Sequence, residues 1–159
     1  MEKWLLEELE KPLDTLPTFS NLDESSSSTL GLFEMVTQMM DKLDNEAFGN
    51  FILSMTKTVN DILGVYFLAK ITGIFSGENE KEFSRLSIVP LFETIEDLRS
   101  APKIVQELLA VPIISKTIKQ KTGIRQVRVR DIEPRAARVR KIQRVGAGAD
   151  AALVRKIFC

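Results

Sequence analysis

The chain has no histidine, and its single cysteine, Cys159, is the last of 159 residues. A lone cysteine excludes an intrachain disulfide and a cysteine metal cluster, and with no histidine beside it no zinc-ligand pattern can be drawn. No apolar run approaches the ~20 residues of a membrane span, and the acidic start is unlike a signal peptide. The expected setting is the cytoplasm, with no membrane partner. An excess of one charge is missing too, because 22 Lys and Arg face 22 Asp and Glu. What is present is the composition of a soluble globular protein, 44% hydrophobic and 28% charged, long enough for one domain with a single core.

The balance of charge hides an asymmetry. Residues 125–159 carry eight Arg and two Lys against Asp131, Glu133 and Asp150, a net of +7, so residues 1–124 carry −7. Only Arg85 and Arg99 precede position 125. Such a switch in arginine usage divides the chain into segments 1–124 and 125–159 with different histories. In the second, Arg128, Arg130, Arg135, Arg138, Arg140 and Arg144 form a basic stripe, followed by the low-information run Gly146-Ala147-Gly148-Ala149-Asp150-Ala151-Ala152. Clustered arginine neutralises phosphates, so a nucleic-acid-binding arm is one reading. The stripe carries no aromatic residue for base stacking and no helix-turn-helix pattern, which leaves that signal nonspecific.

Within residues 1–124 the periodicity sets out an order of elements. Residues 3–10 read as a short amphipathic helix with Trp4, Leu5 and Leu9 toward one side. Pro12 and Pro17 bracket a turn, and Asn21 to Thr29, with its four serines, reads as a solvated connection. From Leu30 to Leu43, the residues Leu32, Phe33, Val36, Met39, Met40 and Leu43 recur at three- and four-residue steps and predict one buried helical face, its methionines core filler. Ala47 to Met55 predicts a strand apolar enough to be buried on both faces. Thr56 or Thr58 then caps a helix packed through Val59, Ile62, Leu63, Tyr66, Leu68 and Ala69 and ended near Gly73. Ser76 to Phe83 reads as a loop, and Arg85 to Phe92 as a second strand. Thr94 caps the next helix with Asp97 completing a capping box, Pro102 interrupts or restarts it after Ser100, and Pro112 breaks the chain before a basic helix ending at Gly123. Strand, helix, strand, helix is what a parallel β/α architecture requires.

The most informative stretch is Ser87-Ile88-Val89-Pro90-Leu91-Phe92-Glu93-Thr94-Ile95-Glu96-Asp97-Leu98-Arg99-Ser100-Ala101-Pro102. A strand-like apolar run stops at a carboxylate and a helix starts at once, which in a β/α barrel is where chemistry is placed. Capping accounts for Glu96 and Asp97 better than metal ligation does, and it accounts for Asn60 and Asp61 better than substrate contact does, although Asp61 can serve both.

This stretch resembles the "PLFET…DL…AP" segment of phosphoenolpyruvate carboxylases. Two further pieces are similar to that family in the same order: Phe48 to Val65, like its "ISM…SDVLAV" strand and helix, and Trp4 to Pro17, like its "FLLxELExxRPLLP" piece. The resemblance covers residues 1 to about 124. It implies an α/β fold, specifically a helix-rich fragment of a β/α barrel with about two βα units and a helical lead-in, since a whole barrel needs roughly 250 residues. It implies a lyase that joins bicarbonate to phosphoenolpyruvate, through carboxyphosphate and an enolate, giving oxaloacetate and phosphate. The implied cofactor is Mg²⁺ (or Mn²⁺), with Glu93 as a ligand. Full-length relatives are cytoplasmic homo-tetramers.

The pattern then departs from the family. Ile124-Arg125-Gln126-Val127 starts like the approach to the next strand, expected near Gln126, yet Arg128 to Pro134 holds no "GYSDS". Asp131 comes too early to take over the second ligand role, and the family's catalytic histidine has no counterpart. The expectation is a truncated member that is inactive alone, its residues 125–159 translated out of frame or replaced. The alternatives are a non-catalytic interaction module and a nucleic-acid-binding protein acting through the tail.

Overall fold

A computed structural model describes residues 2–43, 48–76, 83–120, 125–130 and 139–145, the last two stretches as backbone only. Two helices lead in, α1 (Glu2–Glu10) and α2 (Glu24–Lys42), separated by a 3-10 turn at Leu13–Thr15. Strand β1 (Asn50–Leu53) and helix α3 (Val59–Ile71) follow, then a short ladder of β2 (Phe75–Ser76) and β3 (Phe83–Ser84). Strand β4 (Ser87–Phe92), helices α4 (Ile95–Ala110) and α5 (Pro112–Gln120), and strands β5 (Arg125–Arg130) and β6 (Val139–Val145) complete the order.

β1 and β4 pair in parallel from Asn50 opposite Ser87 to Leu53 opposite Pro90, and β4 pairs in parallel with β5 through Leu91–Arg128 and Phe92–Val129. β5 starts within a residue of where the next strand was expected. β6 returns antiparallel to β5, so the βα alternation stops there. The described residues thus form an α/β arrangement.

α3 is the hub. Its sequence is apolar on nearly every side, and a helix of that kind needs cover all round. α1, α2, α4 and β4 pack against it and bury Val59, Ile62, Leu63, Val65, Tyr66, Phe67 and Ala69. Its C-terminus closes as a Schellman turn. Gly73 adopts φ 82°, its N–H reaches Lys70 O at 3.2 Å, and Ile74 N–H reaches Ala69 O at 2.9 Å. Arg85 then ties this turn to α2, donating to Gly73 O at 3.0 Å and to Asp41 Oδ1 at 2.7 Å.

Five expectations need correction. α2 begins at Glu24, so the serine run is helical and not a connection. Asp23 caps it, accepting from Ser26 N–H at 2.8 Å and Ser26 Oγ at 2.9 Å, which offsets the weak helix propensity of the serines. The expected single face of α2 splits: Phe33 and Met40 are buried, while Leu32, Met39 and Leu43 are 43–59% exposed. β1 is not buried on both faces, since it is an edge strand of the described sheet with Ile52 exposed. α4 runs through Pro102 without a break. Asp97, Ala101, Ile104, Val105 and Leu108 make one buried stripe on both sides of the proline, and that packing outweighs one lost helical hydrogen bond. The region expected as a loop also opens and closes on the β2–β3 ladder.

Candidate functional site

Because β1 and β4 are parallel, both hand over to a helix at the same edge of the sheet. Residues 54–58 lead from β1 into α3, and Glu93 with Thr94 leads from β4 into α4. Both helices open on the same device. Thr58 Oγ1 accepts from Asp61 N–H at 3.4 Å while Asp61 Oδ2 accepts from Thr58 N–H at 2.8 Å and Lys57 N–H at 2.9 Å. Thr94 Oγ1 accepts from Asp97 N–H at 3.1 Å while Asp97 Oδ2 accepts from Thr94 N–H at 3.1 Å. Each Thr-x-x-Asp spacing is a capping box, and each helix turns its positive end toward this edge.

Glu93 is half-buried between them. Its Oε2 accepts the backbone N–H of Met55 at 3.1 Å, which joins the end of β4 to the loop after β1. Met55 has φ 55°, and Thr56 beside it is fully buried. Thr56 N–H donates to Leu91 O at 3.3 Å and its Oγ1 donates to Leu53 O at 2.9 Å. Thr58 is therefore the helix cap, and Thr56 fastens the loop to both strands.

The sequence-derived candidates sort cleanly. Asp61 and Asp97 are capping carboxylates, and Glu96 is exposed in the first turn of α4. Asn60 does no capping: its Oδ1 is buried without a hydrogen-bond partner. Asp131, Arg135, Arg138 and Cys159 lie outside the described residues, as do the side chains of Arg128, Arg130, Arg140 and Arg144. Sequence reading missed Met55. A methionine carries no turn signature, and only its long-range contact with Glu93 marks it. A separate cleft of about 340 Å³ lies among α1, α2 and α3, lined by Trp4, Phe19, Leu22 and Phe67, and includes none of these candidates.

A carboxylate at the C-terminal ends of parallel strands, flanked by two helix N-termini, is the arrangement in which β/α enzymes present polar ligands to substrate or cation. The phosphoenolpyruvate carboxylase family model matches residues 1–129. The chain is 45% identical to the phosphoenolpyruvate carboxylase of Methylorubrum extorquens over 130 residues, which is 79% of this chain and 14% of that protein. It is 42% identical to that of Ralstonia nicotianae over 112 residues, 68% of this chain and 11% of that protein. Against that of Prochlorococcus marinus strain MIT 9301 it is 31% identical over 121 residues, 76% of this chain and 12% of that protein. The chain belongs to the phosphoenolpyruvate carboxylase family. It spans about one seventh or less of the length of the curated relatives it matches.

A divalent cation such as Mg²⁺ prefers hard oxygen ligands, and Glu93 is of that kind. Among the described residues no group of three or more Asp, Glu, His or Cys side chains comes together. Glu93, Asp61 and Asp97 each accept a backbone N–H and belong to no such group, so the described residues offer carboxylates of the right chemistry and not a whole site.

Proposed function

We propose that this chain is the metal-ligand segment of a phosphoenolpyruvate carboxylase β/α barrel. Residues 1–124 supply about two βα units and a helical lead-in, the family match runs on through residue 129 in β5, and an out-of-frame tail takes over within 125–159. The whole enzyme, in this reading, is a cytoplasmic homo-tetramer that joins bicarbonate to phosphoenolpyruvate and releases oxaloacetate and phosphate. When bound, Mg²⁺ or Mn²⁺ stabilises negative charge that develops on oxygen during such a reaction. Glu93 serves as one ligand. The observation that supports this reading is the position of Glu93 just past the C-terminal end of β4, bonded across to the loop after the parallel neighbour β1.

A single carboxylate leaves the cation most of its water, so the chain alone binds Mn²⁺ weakly and forms no oxaloacetate. Electron paramagnetic resonance of Mn²⁺ with the 159-residue chain tests the ligand role. Weak binding lost in Glu93→Gln supports it, and equal binding by both proteins overturns it. Translating the gene in all three frames from the codon of Gly123 tests the tail: a frame encoding Gly-Tyr-Ser-Asp-Ser supports the out-of-frame reading, and its absence from every frame defeats it.

One observation favours a second reading, a non-catalytic interaction module. Leu32, Met35, Met39 and Leu43, 43–59% exposed, line one side of α2 at three- and four-residue spacing. Apolar stripes of this kind mark contact surfaces. Self-association in gel filtration, abolished by Met39→Glu and indifferent to Mg²⁺, would favour it.

A further inference from the structure

Among the described residues two that are not glycine have positive φ, Asn21 at 64° and Met55 at 55°. Asparagine tolerates the left-handed region, whereas a methionine there is strained because its Cβ crowds the following carbonyl. Packing of the side chain does not explain the strain, since Met55 is 65% exposed. The main chain does. With φ at 55° the Met55 N–H meets Glu93 Oε2 at 3.1 Å, while the next residue, Thr56, is anchored to Leu91 O and Leu53 O. Strain that persists where the surroundings over-determine it is a pointer to function.

We infer that Met55 is a positioning residue for Glu93. Its left-handed main chain presents an N–H that sets the orientation of the carboxylate at the edge of the sheet. The inference deepens the reading of Glu93 as a cation ligand: a cation then meets a carboxylate whose rotation is already restricted, and loop 54–58 moves with it. What matters at position 55 is the backbone conformation and not the thioether. Glycine and asparagine therefore preserve the arrangement. Valine, which is β-branched and strongly disfavoured at positive φ, destroys it.

The test is amide NMR on the full 159-residue chain, with circular dichroism confirming that each variant is folded. Removing the acceptor in Glu93→Ala speeds hydrogen exchange at the Met55 amide about 3- to 10-fold, the range expected for one hydrogen bond. Glu93→Gln, which keeps an acceptor oxygen, retains most of the protection. Dilute Mn²⁺ broadens the Glu93 and Met55 amides together in the wild type; Met55→Gly and Met55→Asn keep that response and the exchange protection at position 55, whereas Met55→Val loses the protection and needs several-fold more Mn²⁺ for the same broadening at Glu93. Unchanged Met55 exchange in Glu93→Ala, or wild-type protection and Mn²⁺ dependence in Met55→Val, overturns the inference. The underlying reading fails differently: if Glu93→Ala exposes the Met55 amide but Mn²⁺ broadens neither residue in the wild type, the positioning contact stands and the ligand role of Glu93 falls.

Discussion

The ammonium of Lys70, on the buried side of α3, donates to the carbonyl of Leu9 at 2.7 Å, where α1 ends. The same nitrogen reaches Lys11 O at 2.5 Å. A cation at a helix C-terminus satisfies carbonyls that the helix leaves open and opposes the negative end of its dipole. At 1% exposure, Lys70 is the device that holds the lead-in helix on the βα unit, whose sheet edge carries Glu93.

Replacing Lys70 with methionine keeps most of the apolar stem and removes the donors. Two carbonyls at the end of α1 are then left short of a partner, and the chain should lose about 1–3 kcal/mol of stability. The urea midpoint reads this out, with the slope of the transition unchanged. A loss below ~0.5 kcal/mol, the range of ordinary surface substitutions, would show that Lys70 is not what docks α1.

The two sides of α2 should respond in opposite ways. Phe33 is 3% exposed and Met39 is 43% exposed. Phe33→Ala should cost about 3–5 kcal/mol through the cavity it leaves. Met39→Glu should change stability by no more than ~0.5 kcal/mol. Equal effects from the two substitutions would mean that α2 packs through its other side.

Tyr66 is the only tyrosine, and burial pushes its phenol far above the usual value of 10.0. The unfolded chain releases this proton near pH 10 while the native chain keeps it. Stability is therefore unaffected below pH 10 and falls as the pH rises above it. Absorbance at 295 nm should show no phenolate until unfolding begins, and Tyr66→Phe should remove this part of the alkaline loss. Phenolate appearing near pH 10 in a chain that is still folded would contradict the burial of Tyr66.

The capping boxes give a matched pair. Thr58→Ala and Thr94→Ala each remove an N-cap oxygen, and each should cost about 1 kcal/mol in thermal or urea unfolding. Because both threonines act on backbone N–H groups, Mg²⁺ should leave the two differences unchanged. A loss that appears only with Mg²⁺ would move these threonines from capping to ligation.

Much of this was open to reading in the residues themselves. Thr94 and Asp97 stand three apart after an apolar run, and a capping box is local chemistry that needs no knowledge of the rest of the chain. The same holds for Gly73, whose left-handed turn ends α3, and for Pro112, which opens α5 at the position where a missing N–H does no harm. Pro102 misled, because a helix-breaking tendency is also local, and the buried stripe from Asp97 to Leu108 that overrides it depends on what α4 packs against. The serines before α2 misled in the opposite direction, since Asp23 turned a polar run into a helix start.

Local sequence was enough to read the alternation of β1, α3, β4 and α4, the Thr94–Asp97 cap, and the placement of Glu93 at the end of β4. Periodicity, turn chemistry and the family motif are all written in neighbouring residues. Contacts between distant segments are what give Met55 its φ of 55° and its bond to Glu93, set Lys70 at the end of α1, and make α2 bury Phe33 and Met40 while exposing Met39. Each of these joins positions far apart along the chain or depends on which face meets a neighbour. A backbone donor, a buried cation and an exposed apolar stripe acquire their meaning from the surfaces brought against them.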